Sequence, residues 1–265
     1  MTQPFFIRQK IPRDTQFLKP ALAATIVLLH GWGFDSRVWE PLHDLLAQYA
    51  DVWLVDLSYE NQTVDSLSDA ILEGLPAKSL LVGWSLGGML AANITAQSLI
   101  ENQEKIILGL VTLSANTKFV ASESWPSAMP QATFSAFVEG VNKNPARQLK
   151  RFSILLAQGE DESREQAAWQ NGVLPEFVDK ENLLAGLALL NAIDNMEKLK
   201  EIKCPSLFLF GKNDALVPSD AAKDLVINNE YHRIVVLENK GHCLHYPQGE
   251  CHSLIQAFIE QLAGD

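Results

Sequence analysis

Cysteine is scarce: the 265 residues hold three, Cys204, Cys243 and Cys251. The count is odd and no pair has C-x-x-C spacing, which excludes a disulfide framework and a structural zinc site as organising features. Reduced thiols in a cytoplasmic protein are the expectation. Positive charge is in deficit as well. Lys and Arg number 21 against 32 Asp and Glu, a formal net charge of −11, which argues against general affinity for nucleic acid or an anionic membrane. Long apolar runs are missing. Ala21 to Leu29 is too short to span a bilayer, and Met1 to Pro12 lacks the apolar core of a secretory signal. There is no internal repeat and no low-complexity tract. What remains is a chain that is 47% hydrophobic, enough for one large α/β domain with room for an insertion. A monomer is expected.

The chain is organised around Leu80-Leu81-Val82-Gly83-Trp84-Ser85-Leu86-Gly87-Gly88-Met89-Leu90-Ala91. It reads as an apolar strand, a sharp turn and a helix. Gly83-Trp84-Ser85-Leu86-Gly87 fits G-x-S-x-G, the nucleophile elbow of α/β-hydrolases. A strand that reverses into a helix this fast holds its apex residue in a strained conformation. Glycines two before and two after the apex remove side chains that would collide. The Ser85 hydroxyl is thereby presented beside a helix N-terminus, where free amides, that of Leu86 first, favour negative charge. A hydroxyl nucleophile beside an anion site is what acyl transfer needs. The bland alternative is a Gly/Ser turn without chemistry.

Other strands are legible as β-branched, aliphatic runs without alternation, as strands buried on both faces should be. They are Thr25–Leu29, Val52–Asp56, Ile106–Ser114, Ser206–Gly211 and Arg233–Leu237, with Phe5–Gln9 as a possible edge strand. Helices are predicted over Ser36–Tyr49, Thr63–Leu75 (capped by Thr63 or Asp65), Leu86–Gln97 and Gly249–Leu262. Strands alternating with helices imply a mostly parallel sheet with right-handed crossovers. From Ala115 to Ile202 strand-like runs vanish and helix formers dominate. The reading is a core over 1–114 and 203–265 with a helical cap over 115–202.

Serine needs a base. Of the histidines, His242 follows a strand and a glycine near the C-terminus, in Leu237-Glu238-Asn239-Lys240-Gly241-His242, with His245 the competing candidate. The α/β-hydrolase order is Ser, acid, His, so the acid should follow Ser206–Phe210. Asp214 does; Asp220 is the alternative, read as the cap of the next helix. His30-Gly31-Trp32-Gly33 is similar to the loop that follows the third strand in this superfamily, which implies that the Trp32 N–H joins that of Leu86 in an oxyanion hole. The side chains of Trp32 and Leu86 are expected to line the acyl pocket. His242, Cys243 and His245 lack a second ligand group, so neither metal nor cofactor is expected.

With these residues placed, the chain resembles the pimeloyl-[acyl-carrier protein] methyl ester esterases of biotin synthesis, the BioH family. The likeness runs through Leu28-Leu29-His30-Gly31-Trp32-Gly33, Val55-Asp56-Leu57, Gly83 to Gly88, Leu110-Val111-Thr112, Glu123-Ser124-Trp125-Pro126 with Pro130, and Arg151-Phe152 followed by Gly159. The resemblance implies a pimeloyl methyl ester carried on acyl carrier protein, with methanol released. It also implies Trp32, Ser85, Leu86, Phe152 and His242 at the substrate, and Arg147, Arg151 and Arg164 at the carrier. A fourth carrier-contact position holds Ala168. Read from the residues alone, Asn144-Pro145 starts a helix on which Arg147, Lys150 and Arg151 share one face and Leu149, Phe152 and Leu156 another. A basic stripe on an acidic protein suits an acidic partner; the alternative is a solvated helix face.

Two departures stand out. Many relatives carry a Gly-rich loop where this chain has Asp56-Leu57-Ser58-Tyr59-Glu60-Asn61-Gln62, and the segment from His242 to Pro247 is short. Either departure bears on the acyl pocket. Rival readings are a carboxylesterase or thioesterase without a carrier, a carbon–carbon bond hydrolase, and a ligand-binding receptor on the same scaffold.

Overall fold

The computed structural model describes residues 4–100, 106–123, 125–220, 222 and 229–264. Its centre is a set of short strands whose apolar side chains point both ways. These are β2 (Thr25–Leu29), β3 (Val52–Leu57), β4 (Lys78–Trp84), β5 (Ile106–Leu113) and β6 (Ser206–Gly211). From Ile26 to Leu29 and from Ser79 to Trp84 every residue is buried, so both faces of the sheet are covered. The outer strands are β1 (Phe5–Ile11) and β7 (His232–Leu237). The seven strands run in the order β1-β3-β2-β4-β5-β6-β7, parallel except for β1, which pairs antiparallel with β3 at the edge.

The chain leaves β2 toward β3 on one side and leaves β4 toward β5 on the other. That divergence opens a crevice at the carboxyl ends of the two central strands, where α/β proteins bind ligands. Leu29 is paired with Gly83 and Trp84 with Leu113, so the loops leaving β2 and β4 start level with each other.

The helix expected over Ser36–Tyr49 is two pieces. A 3-10 turn over Ser36–Trp39 is capped by Asp35, whose carboxylate accepts the Arg37 N–H at 3.0 Å. The α-helix α1 follows over Glu40–Ala47. Pro41, with no N–H, sits in its first turn, the position such a residue tolerates. Helix α2 (Val64–Gly74) is capped by Thr63 rather than Asp65. Thr63 Oγ1 accepts the Ser66 N–H at 3.1 Å and Ser66 Oγ accepts the Thr63 N–H at 2.9 Å. Helix α3 (Leu86–Ile100) is buried on all sides from Leu86 to Ala96, as befits a helix between sheet and further helices. Helix α9 (Glu250–Gly264) packs against β5, β6 and α1.

Between β5 and β6 lie α4 (Gln131–Lys143), α5 (Pro145–Leu156), α6 (Ser163–Gly172), α7 (Lys180–Ala192) and the short α8 (Lys198–Glu201). The return from this stretch is tied to α3: Asn195 Nδ2 donates to the Met89 carbonyl at 2.8 Å, and Asn93 Nδ2 donates to Asn195 Oδ1 at 3.1 Å. Among the described residues no helix is long and apolar enough to cross a membrane.

Candidate active site

Ser85 stands between β4 and α3 with φ +54°, a left-handed conformation that a residue with a side chain adopts only under constraint. The constraint is visible on both sides. A Cβ on Gly83 would lie 2.3 Å from the Gly87 carbonyl oxygen, and one on Gly87 would lie 2.1 Å from that of Leu29. Strand and helix close at these two points because neither residue has a side chain. The Ser85 N–H donates to the Leu113 carbonyl at 2.9 Å, and its own carbonyl accepts the Met89 N–H at 3.0 Å. The apex is thus fixed by β5 and by the first turn of α3.

Asp214 follows β6. One carboxylate oxygen accepts the N–H groups of Leu216 at 2.8 Å and Val217 at 2.9 Å, which locks the side chain in its own turn. The other oxygen meets His242 Nδ1 at 2.7 Å. Both side chains are removed from water, at 0% and 1% exposure. With Nδ1–H donating to the carboxylate, Nε2 carries the free lone pair. Nε2 is buried and makes no hydrogen bond, so the bond from Ser85 Oγ is not formed. Such bonds are often open before substrate binds. The structure therefore joins residues 214 and 242 directly and leaves Ser85 close to the same edge of the sheet, at the end of a neighbouring strand.

His245 is a core residue. It packs against Trp39 and Trp84 at ring distances of 4.8 and 5.1 Å. Burial, aided by the neighbouring His252, pushes its pKa down to about 3, so it stays neutral. Asp220 is exposed. The helix it was expected to cap falls largely on residues outside those described. Among the described residues no cluster of His, Cys, Asp and Glu could hold a metal ion. Burial pushes the thiols of Cys204 and Cys251 up to about 11 and 12 and raises that of Cys243, leaving them protonated at neutral pH.

Two supports went unread in the sequence. Trp84 Nε1 donates to the His242 carbonyl at 2.9 Å, so the elbow itself holds the histidine loop. His30 Nε2 accepts the Leu57 N–H and its Nδ1 donates to the Gly31 carbonyl, each at 2.9 Å. Burial lowers the His30 pKa, and the neutral ring pins the Gly31–Gly33 loop to the end of β3. That loop follows the second strand of this chain, not a third. Among the described residues, no backbone carbonyl takes the Trp32 or Leu86 N–H.

The indole of Trp32 reaches into the helices: Nε1 donates to the Leu183 carbonyl at 2.8 Å, and the ring meets Phe152 and Phe137 edge-on at 5.0 and 5.3 Å. With Phe134, Leu187 and Leu190, these rings enclose a cavity that ends at Ser85. Its empty volume, mouth included, is about 460 Å³, and its lining is apolar apart from Ser85 and Thr133. Leu86 is a correction: its side chain, expected to line the acyl pocket, is fully buried and is not part of the cavity lining. The loop after Asp56 does not line the cavity either. Its Tyr59 packs against α7 at Gly186, beside Trp32, and its N–H donates to Asn182 Oδ1 at 2.6 Å.

Helix α5 begins at Pro145, with Asn144 Oδ1 accepting the Arg147 N–H at 3.0 Å. Leu149, Phe152 and Leu156 are buried, whereas Arg147, Lys150 and Arg151 are exposed. Arg164 is exposed on α6, and Ala168 stands one turn further along the same helix. Lys143 pairs with Glu139, but none of Arg147, Lys150, Arg151 or Arg164 makes an ion pair among the described residues.

A strand order of this kind, with a nucleophile elbow at its centre and an Asp–His pair from the last two strands, defines an α/β-hydrolase. A model described as the alpha/beta hydrolase family matches residues 26–250. The bifunctional biotin biosynthesis protein BioHC of Saccharophagus degradans is 40% identical over 84% of this chain, which spans only 41% of that protein's length. The pimeloyl-[acyl-carrier protein] methyl ester esterase of Vibrio cholerae is 30% identical over 87% of this chain and 92% of its own. An esterase from Exiguobacterium antarcticum superposes with a TM-score of 0.75 at 19% identity, covering 98% of this chain and 94% of that one. A bromoperoxidase from Bacillus anthracis gives 0.77 at 20% identity, over 92% and 93%. These two show likeness of fold alone. The chain belongs to the BioH family of alpha/beta hydrolases.

Proposed function

We propose that this protein is a serine carboxylesterase that hydrolyses the methyl ester of pimeloyl-acyl carrier protein, yielding methanol and the free acid still bound to its carrier, a step of biotin synthesis. The observation that carries the proposal is the cavity: apolar, ending at Ser85, and lined by no charged side chain. A neutral methyl ester on an aliphatic chain enters such a space at little cost. A free carboxylate there would be unpaired and strongly disfavoured. The names borne by the relatives supply the acyl group and the carrier.

In this mechanism Ser85 Oγ attacks the ester carbonyl as His242 Nε2 takes its proton. Asp214 holds the imidazole tautomer and stabilises the imidazolium. The amides of Trp32 and Leu86 bind the oxyanion, each worth about 3–4 kcal/mol in the transition state. His242 returns the proton to departing methoxide, giving methanol and an acyl-enzyme. Water then attacks, with His242 as base, and Ser85 is restored. Phe152 and the ring of Trp32 hold the acyl chain. Residues 1–114 and 203–265 act as the core and 115–202 as a cap, whose Arg147, Arg151 and Arg164 dock the acidic carrier. In this reading the protein acts as a cytoplasmic monomer.

The test is rescue of a biotin auxotroph that lacks its own esterase, with Ser85→Ala beside the wild type. Growth is expected with the wild type alone. Equal growth with Ser85→Ala removes the serine mechanism. Hydrolysis of small esters without rescue points to a carboxylesterase with no carrier partner.

A further inference from the structure

The turn between α5 and α6 buries a carboxylate that none of the steps above uses. The Glu160 side chain is 3% exposed, and its Oε2 pairs with Lys240 Nζ at 3.1 Å. Its Oε1 accepts the Gly241 N–H at 2.7 Å. Burying a carboxylate costs several kcal/mol unless it is paired and hydrogen-bonded. Here both of its oxygens are engaged by the two residues immediately before His242.

Neighbouring atoms hold the same region. Asn213, which precedes Asp214, donates from Nδ2 to the Gly159 carbonyl at 2.9 Å. Gly159 has φ +87°, and a Cβ on it would lie 2.4 Å from that of Asn213. A Cβ on Gly241 would lie 2.5 Å from the Gln158 carbonyl oxygen. On the far side of His242, Gln166 Nε2 of α6 donates to the carbonyls of Cys243 at 2.9 Å and Tyr246 at 3.1 Å. The histidine loop is gripped before and after residue 242, and the aspartate loop at residue 213, by one short stretch of the helical insertion. Neither Glu160 nor Gln166 lines the cavity.

We propose that this turn is a clasp for the catalytic loops and that Glu160 is a positioning residue, setting the place of His242 Nε2 relative to Ser85 through the Gly241 amide. The inference rests on the esterase reading of the site. Proton transfer demands close geometry, and a displacement of about 1 Å can cost on the order of 10²-fold in rate. Substrate is held elsewhere, so the clasp acts on kcat and leaves KM alone.

The experiment is steady-state hydrolysis of a short-chain p-nitrophenyl ester by the wild type, Glu160→Ala and Glu160→Gln, with thermal unfolding of each followed in parallel. Glu160→Ala is expected to lower kcat about 30-fold with KM unchanged. Glu160→Gln keeps an oxygen for the Gly241 N–H and is expected to recover most of that loss. Wild-type kcat in Glu160→Ala, a loss confined to KM, or failure of Glu160→Gln to recover any activity would each overturn the proposal. Should Glu160→Ala not fold, Glu160→Asp takes its place: the shorter arm withdraws the acceptor, and wild-type kcat in that variant overturns the proposal equally. A wild type inert toward every ester sinks the esterase reading instead, whereas an active wild type with an indifferent Glu160→Ala sinks only the clasp.

Discussion

The sheet and the helices inserted between β5 and β6 are built on different rules. In the sheet layer, strands such as Ile26–Leu29 and the first turns of helix α3 are buried on every side, and the groups of interest are placed by backbone: the φ of Ser85, the turn amides around Asp214, the glycines at 83 and 87. In the insertion, α5 is two-faced. Leu149 and Phe152 point inward while Arg147 and Arg151 face water. There the work is done by side chains, which close the cavity on one side and present exposed cations on the other. The difference teaches that reactivity and selectivity are separable in this molecule. Changes near the sheet, or in the Glu160 turn that grips its loops, should strike every ester alike, and changes in the cavity wall and outer face of the insertion should discriminate among substrates.

The largest effect tests the sheet. Asp214→Asn preserves the shape of the pair but favours the wrong imidazole tautomer, and kcat should fall by about 10⁴-fold on small and carrier-linked esters alike. Unequal losses on the two substrates would break the comparison. Next comes the wall of the cavity. The ring of Phe152 is packed between Trp32 and Phe137, at 5.0 and 5.5 Å, and Phe152→Ala should cost about 3–5 kcal/mol in chemical denaturation. It should also reduce the preference for longer over shorter acyl chains in kcat/KM. A smaller effect is expected on the outer face. Reversing Arg147 and Arg151 to Glu should raise KM for the carrier-linked ester about tenfold or more, in a salt-dependent way, while a small ester is turned over as before. An equal effect on the small ester would place these residues in folding instead of docking.

The mildest prediction concerns pH. His30, His232, His245 and His252 are all held below the ordinary value of 6.5, chiefly by burial. The unfolded chain takes up protons below pH 6.5 that the folded chain refuses, so stability falls as pH drops through this range. For His245, whose folded value is about 3, the loss is about 1.4 kcal/mol per pH unit between the two values. Thermal unfolding from pH 7 to pH 4 should show a shallower decline in His245→Phe than in the wild type. An unchanged slope would mean that His245 does not remain neutral in the folded core.

Much of the sheet was legible in the amino-acid order because its signals are local. An unbroken β-branched run such as Thr25–Leu29 has no polar face to expose, and G-x-S-x-G spells a turn that only glycines can close. The pairing of residues 214 and 242 was legible too, since each follows a strand and a short turn. The 3-10 start of the helical stretch over Ser36–Tyr49 was not legible, because periodicity does not reveal a change of winding ahead of Pro41. The Leu86 side chain, expected to line the acyl pocket, is instead taken into the core, because α3 is buried on all sides at its start.

What the sequence determined by itself is therefore the set of strands, the strained serine between two glycines, and the polar order of acid and base along the chain. Tertiary structure alone decided which groups hold these in place. Trp84 reaches a carbonyl 158 residues away, and Glu160 an amide 81 residues away. The physical reason is range. A turn or a buried strand is fixed by steric and solvation terms among near neighbours, whereas a hydrogen bond across such separations exists only after the sheet has brought distant loops to one edge.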